Sequence, residues 1–135
     1  EDYLVALRWV LKHGGLKELI GRSRKNLEIV MQWVEKTAWV DMLAKDPDTV
    51  SNTSICLQIS DVRFTGLQES DQRAFIKEIV GLLATENVAF DIEGYRNAPP
   101  GFRIWGGGTV ESSDIELLCA WLDWAYSNVK NGYYD

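Results

Sequence analysis

The stretch that most constrains this 135-residue chain is Ala98-Pro99-Pro100-Gly101-Phe102-Arg103-Ile104-Trp105-Gly106-Gly107-Gly108. Both prolines fix φ and remove a backbone donor, so Ala98–Gly101 reads as a rigid turn. Phe102–Trp105 reads as a strand, and the glycine run ends it. A fold for this chain must therefore find partners for one short strand held between two breakers. Thr53–Ile59 supplies one: Thr53, Ile55 and Ile59 are β-branched, and apolar and polar positions alternate. Asn87–Ile92 supplies a second, with Val88, Phe90 and Ile92 on one face. Trp39–Leu43 reads as a further short strand, ahead of the turn residues Asp46-Pro47-Asp48 and Ser51-Asn52.

The remaining apolar residues follow helical spacing. Residues 3–13 place Leu4, Leu7, Val10 and Leu11 on one face, and Gly14-Gly15 ends that helix. A second helix follows over Leu16–Glu35, with Leu16, Leu19, Ile20, Ser23, Leu27, Val30 and Val34 in period. Its outer face carries Arg22, Arg24 and Lys25. A loop holding Thr65-Gly66 precedes a third helix, opened by Ser70 and carried by Phe75, Ile76, Ile79, Leu82 and Leu83. Ser113-Asp114-Ile115-Glu116 is a capping box opening a last helix to Val129. Helices interrupting a few strands imply an α+β fold: a two-layer sandwich of a small, mainly antiparallel sheet with helices packed on one face. The length suits one domain over residues 1–135.

Charge and composition exclude several functions. Fourteen Lys and Arg against twenty Asp and Glu leave a net charge of −6, which argues against nucleic acid and anionic membrane as partners. The longest apolar runs fall far short of a membrane span, and no signal peptide is visible. Two cysteines set far apart, Cys56 and Cys119, favour a reduced, cytoplasmic setting and read as buried thiols. His13, the lone histidine, lies at a helix C-terminus, where a cation suits the helix dipole. No zinc-ligand spacing is present.

Few residues are left to carry chemistry. Gly106-Gly107-Gly108 follows a strand and precedes a helix, but it matches no phosphate-loop pattern and reads better as close backbone approach. Arg96 and Arg103 flank the proline turn and could converge on an anion through their planar forks. Alternation turns Arg103 away from Phe102 and Ile104, and by itself that places it in solvent. Asp91 and Glu93 alternate along the expected strand and so share a face. The six tryptophans fall mostly at helix core positions, and Trp121 with Trp124 reads as core or as a docking surface. These residues complete no catalytic constellation.

Tyr95-Arg96-Asn97-Ala98-Pro99-Pro100-Gly101-Phe102-Arg103-Ile104-Trp105-Gly106-Gly107-Gly108-Thr109-Val110 resembles the phosphoserine aminotransferase family. So do Ser51–Leu57 and Leu118–Tyr126. The likeness runs from Leu7-Arg8-Trp9 to Tyr126 and is to the C-terminal small domain of a fold-type I pyridoxal-phosphate aminotransferase. It implies transfer of an amino group between glutamate and 3-phosphohydroxypyruvate, giving phosphoserine and 2-oxoglutarate, within serine biosynthesis. It implies that Arg103 binds the substrate α-carboxylate and that Arg96 helps bind the phosphate. Where another branch of the family has a His-Arg pair, this chain reads Tyr95-Arg96, with a different spacing to Arg103. The Schiff-base lysine and cofactor phosphate site of such enzymes lie in a large domain that this chain lacks. Pyridoxal 5'-phosphate is therefore expected on the full-length homodimeric enzyme and not on this fragment, which is expected to be inactive alone. The chain's partners would be the small-molecule substrates and its own large domain. Residue 1 is Glu rather than Met, which fits a piece of a longer chain. The alternative is a free-standing, non-catalytic binding or regulatory module with the same fold.

Overall fold

The computed structural model describes residues 2–134. In chain order the elements are α1 (Asp2–Lys12), α2 (Gly15–Lys36), β1 (Val40–Met42), β2 (Ser54–Ile59), α3 (Val62–Thr65), α4 (Glu69–Thr85), β3 (Gly101–Trp105) and α5 (Ser112–Val129). The strands form one antiparallel sheet with β2 at its centre. The fold is α+β, as expected.

The sheet has one covered face and one open face. Ile55, Leu57 and Ile59 of β2, with Phe102 and Ile104 of β3, are at most 3% exposed. They pack under α2, α4 and α5, which contribute Val30, Phe75, Ile79, Leu83, Leu122 and Ala125. Burying side chains of this size stabilises the fold by about 1.5–3 kcal/mol each. The register couples the layers: Ile55 faces Ile104 and Leu57 faces Phe102, while Cys56 faces Arg103 on the opposite side.

Four expectations change. Asn87–Ile92 is not a strand. Asn87 (φ +56) and Asp91 (φ +54) adopt left-handed backbone, which interrupts extended pairing. The edge of β3 is paired instead by residues 92–94: the Arg103 N–H donates to the Ile92 carbonyl at 2.8 Å, and Glu93 bridges Phe102. Ala89 and Ile92 turn inward, and Phe90 lies 66% exposed.

On α2 the expected Ser23 and Val30 are buried, but the third buried residue is Asn26, and Leu16 and Ile20 of the expected stripe are exposed. The capping box does not form: α5 begins at Ser112, and the Ser112 hydroxyl donates to Asn26 Oδ1 at 2.8 Å. Nor are the tryptophans mostly core. Trp39 is buried, whereas Trp105 and Trp124 are exposed. The Leu4, Leu7 and Leu11 face of α1 is likewise exposed, and α1 contributes no buried residue.

Candidate functional site

The open face of the sheet gathers the candidate chemistry around β3. Arg103 alternates away from the core, but it does not stand in solvent: its side chain is 22% exposed. Its guanidinium lies over the Tyr95 ring, with Cζ 4.6 Å from the centroid, a cation–π arrangement. Nη2 donates to Asp91 Oδ2 at 3.3 Å. Nε is the one buried side-chain polar atom without a hydrogen-bond partner among the described residues. Natively folded chains rarely bury an unpaired donor, so this one calls for an explanation. Arg103 borders a cleft of about 440 Å³ that it shares with Phe90, Asp91, Trp105, Val110 and Leu118. A guanidinium fixed by an aromatic plane beside a partly apolar cleft is suited to a small carboxylate.

Arg96 lies elsewhere. It is exposed on the turn before the prolines and lines a second cleft, of about 540 Å³, with Arg73, Lys77, Glu93 and Asn97. Arg73 there is committed to Glu69, at 2.6 Å, and to the Ala98 carbonyl, at 3.3 Å. The two candidate arginines therefore line different clefts, with Tyr95, which Arg103 stacks on, next to Arg96 in the chain. Asp91 and Glu93 do not form a carboxylate pair: Asp91 turns to Arg103, and Glu93 borders the Arg96 cleft.

The glycine run is a packing requirement. A Cβ on Gly106 would come within 2.8 Å of Ile55, and one on Gly107 within 2.6 Å of the Trp105 indole. The Gly106 N–H donates to the Thr53 carbonyl. Asn26, fully buried on α2, donates through Nδ2 to the Gly106 and Val110 carbonyls at 3.1 Å each, and Arg22 Nε donates to the Gly108 carbonyl at 2.7 Å. The loop after Arg103 is thus bound to α2, and the phosphate-loop reading gains no support. The sequence signal for Asn26 was its place seven residues after Leu19 and four before Val30, on one helical stripe.

Two further networks were not anticipated. Asp61 accepts from Arg63 Nη2 at 2.8 Å and from the Tyr126 hydroxyl at 2.6 Å. The Arg63 side chain, with Tyr126 adding, holds the Asp61 carboxyl well below the usual carboxylate range. Burial, with the bond to Asp61, pushes the Tyr126 phenol up. Asp123 accepts from both Trp33 and Trp39 indoles, at 2.9 and 2.8 Å. These clusters tie α5 to α2, to the residues before β1 and to α3, away from Arg103.

Both cysteines are free thiols. Burial, with Asp123 adding, pushes Cys119 up to about 12, so it stays a protonated hydrophobe. Cys56 is half-buried on the open face rather than in the core. His13 stacks on Trp9 at 4.3 Å, its Nδ1 lying 2.7 Å from the Trp9 carbonyl. Among the described residues no group of three His, Cys, Asp or Glu is placed to hold a metal, and no helix is long and apolar enough to cross a membrane.

No family model matches the chain. Two curated proteins do, the phosphoserine aminotransferases of Methanosarcina mazei and Methanosarcina barkeri. Each is 42% identical over 130 residues, which is 96% of this chain and 32% of the relative. The chain is thus similar to one part of each of these two enzymes. It spans about a third of the length of the curated relatives it matches. Solved structures agree on the fold. The phosphoserine aminotransferase of Bacillus circulans subsp. alkalophilus superposes with a TM-score of 0.66 at 19% identity, covering 90% of this chain and 30% of that one. A phosphoserine aminotransferase studied for radiation damage of its Schiff base gives 0.69 at 11%, with the same coverage.

A Schiff base needs a lysine amine made nucleophilic, usually by desolvation or a neighbouring cation in a closed pocket. Lys12, Lys17, Lys25, Lys36, Lys45 and Lys77 are exposed, and Lys130 is half-buried with its amine 5.7 Å from the Tyr126 ring. These positions do not fit the covalent role in holding pyridoxal phosphate.

Proposed function

We propose that this chain is the C-terminal small domain of a phosphoserine aminotransferase and supplies one side of its substrate clamp. The observation that carries the reading is Arg103: largely covered, braced on Tyr95, with Nε buried and unpaired. Glutamate, phosphoserine and their keto acids all carry an α-carboxylate, so one arginine serves both half-reactions. Its fork fixes the carboxylate plane and thereby the orientation of the reacting carbon, an entropic contribution to catalysis. Arg96, one residue beyond the Tyr95 brace, takes the phosphate of the phosphorylated pair. Pyridoxal phosphate and its lysine belong to the rest of the protein, which acts as a cytoplasmic homodimer.

The test uses the full-length enzyme. Arg103→Ala should lower kcat/KM for glutamate and for 3-phosphohydroxypyruvate alike, by roughly 100- to 1,000-fold, as befits loss of a charge-assisted bidentate contact. Arg103→Lys should recover little of this, because an ammonium lacks the fork. Arg96→Ala should raise KM for the phosphorylated substrates and leave glutamate nearly unaffected. Unchanged kinetics in Arg103→Ala would sink the reading.

A further inference from the structure

Arg103 already has a carboxylate beside it. The Asp91 contact has three properties that set it apart from a structural ion pair. It is lopsided in exposure: the Asp91 side chain is 90% exposed against 22% for Arg103. It is single and long, at 3.3 Å, where strong charge-assisted bonds close to about 2.7–2.9 Å. And it engages only one terminal nitrogen, leaving the buried Nε of the same guanidinium unpaired.

The backbone explains how the carboxylate reaches this position. Asp91 has φ +54, in a segment without regular structure between α4 and β3. Asp and Asn tolerate that conformation far better than most residues. The kink aims a weakly held anion at the donor edge that a substrate carboxylate needs. A carboxylate gripping the guanidinium through two nitrogens, Nη2 among them, must either share Nη2 with Asp91, at the cost of like-charge repulsion, or displace it.

We propose that Asp91 is a resident counter-ion of Arg103 that the substrate carboxylate displaces, so that it sets the affinity and the anion selectivity of the clamp. The proposal rests on the reading of Arg103 as the carboxylate site. Asp91 acts through Arg103 rather than on the substrate. A bidentate carboxylate that displaces Asp91 makes two contacts with the guanidinium where Asp91 makes one. A halide makes a single contact and gains nothing in the exchange, so the counter-ion screens the site against simple anions.

The experiment is kinetics of the full-length enzyme carrying Asp91→Asn or Asp91→Gly, both of which keep the left-handed backbone accessible. Exposed ion pairs are worth about 0.2–1 kcal/mol, so KM for glutamate and for the keto acid should fall about 1.5- to fivefold, with kcat changed less than KM. Chloride should inhibit at lower concentration than in the parent. A brace holding Arg103 in place would have the opposite sign. KM unchanged or raised in both variants overturns the proposal. Arg103→Ala in the same assay separates the two ideas. If it damages kcat/KM while the Asp91 variants leave KM where it was, the clamp stands and the counter-ion falls. If it has no effect, the clamp reading fails and takes the counter-ion with it.

Discussion

β2 and β3 present two faces built from alternate residues of the same strands, and the faces follow different rules. On the covered face Ile55 opposes Ile104 and Leu57 opposes Phe102, all of them essentially sealed. On the open face Cys56 opposes Arg103 and Ser54 opposes Trp105, the last 57% exposed. A one-residue register slip would exchange the two sets, so the packing of the first face fixes the position of Arg103 on the second. The covered face has its polar needs met inside the strand ladders. The open face retains an unpaired Nε and a long, exposed ion pair. Stability is concentrated on one side and unmet binding capacity on the other.

The contrast can be broken deliberately. Phe102→Ala should cost about 3–5 kcal/mol of stability, measured by urea unfolding, because it opens a cavity at a fully buried position. Its neighbour Arg103→Ala should do the reverse, damaging kinetics while leaving the unfolding midpoint nearly in place. Asn26→Ala tests the seam between the faces. It leaves the buried Gly106 carbonyl, the part-buried Val110 carbonyl and the Ser112 hydroxyl short of a partner, and should cost about 2–4 kcal/mol. It should also raise KM, since the loop it holds continues directly from the Arg103 strand. The smallest effect is chemical. Iodoacetamide on the folded protein at neutral pH should label Cys56, on the open face, well before Cys119, as peptide mapping by mass spectrometry would show. Equal labelling would mean that the covered side opens readily.

The sequence made the turn at Pro99-Pro100, the Arg103 strand, the central strand and the order of the helices legible, because breakers and periodicity are local signals. It misplaced what depends on neighbours distant in the chain. Val88-Ala89-Phe90 carries strand-like residues, yet left-handed backbone at Asn87 and Asp91 bends the segment and delays pairing with β3 to Ile92 and beyond. On α2 the periodicity put Leu16, Leu19, Ile20, Ser23, Leu27, Val30 and Val34 together. Ser23 and Val30 do turn inward, but the glycine loop, which needs donors, adds Asn26, and Leu16 and Ile20 are left exposed. Arg103 could be singled out by its strand position and its family likeness. Tyr95 and Asp91 gain meaning only once the hairpin brings them to its guanidinium.

α1 differs from the other long helices in a way that bears on cooperativity. It has 11 residues, below the length at which a helix is stable unaided in water, and it adds nothing to the core. Tyr3, Leu4, Val5, Leu7 and Leu11 are all exposed along it. Its order is therefore only weakly coupled to the folding transition of the sheet and the three helices packed on it, through contacts with α2 such as Arg22 over the Trp9 ring. It can fray and reform at little cost to the rest, and whatever covers that apolar surface would set its helicity.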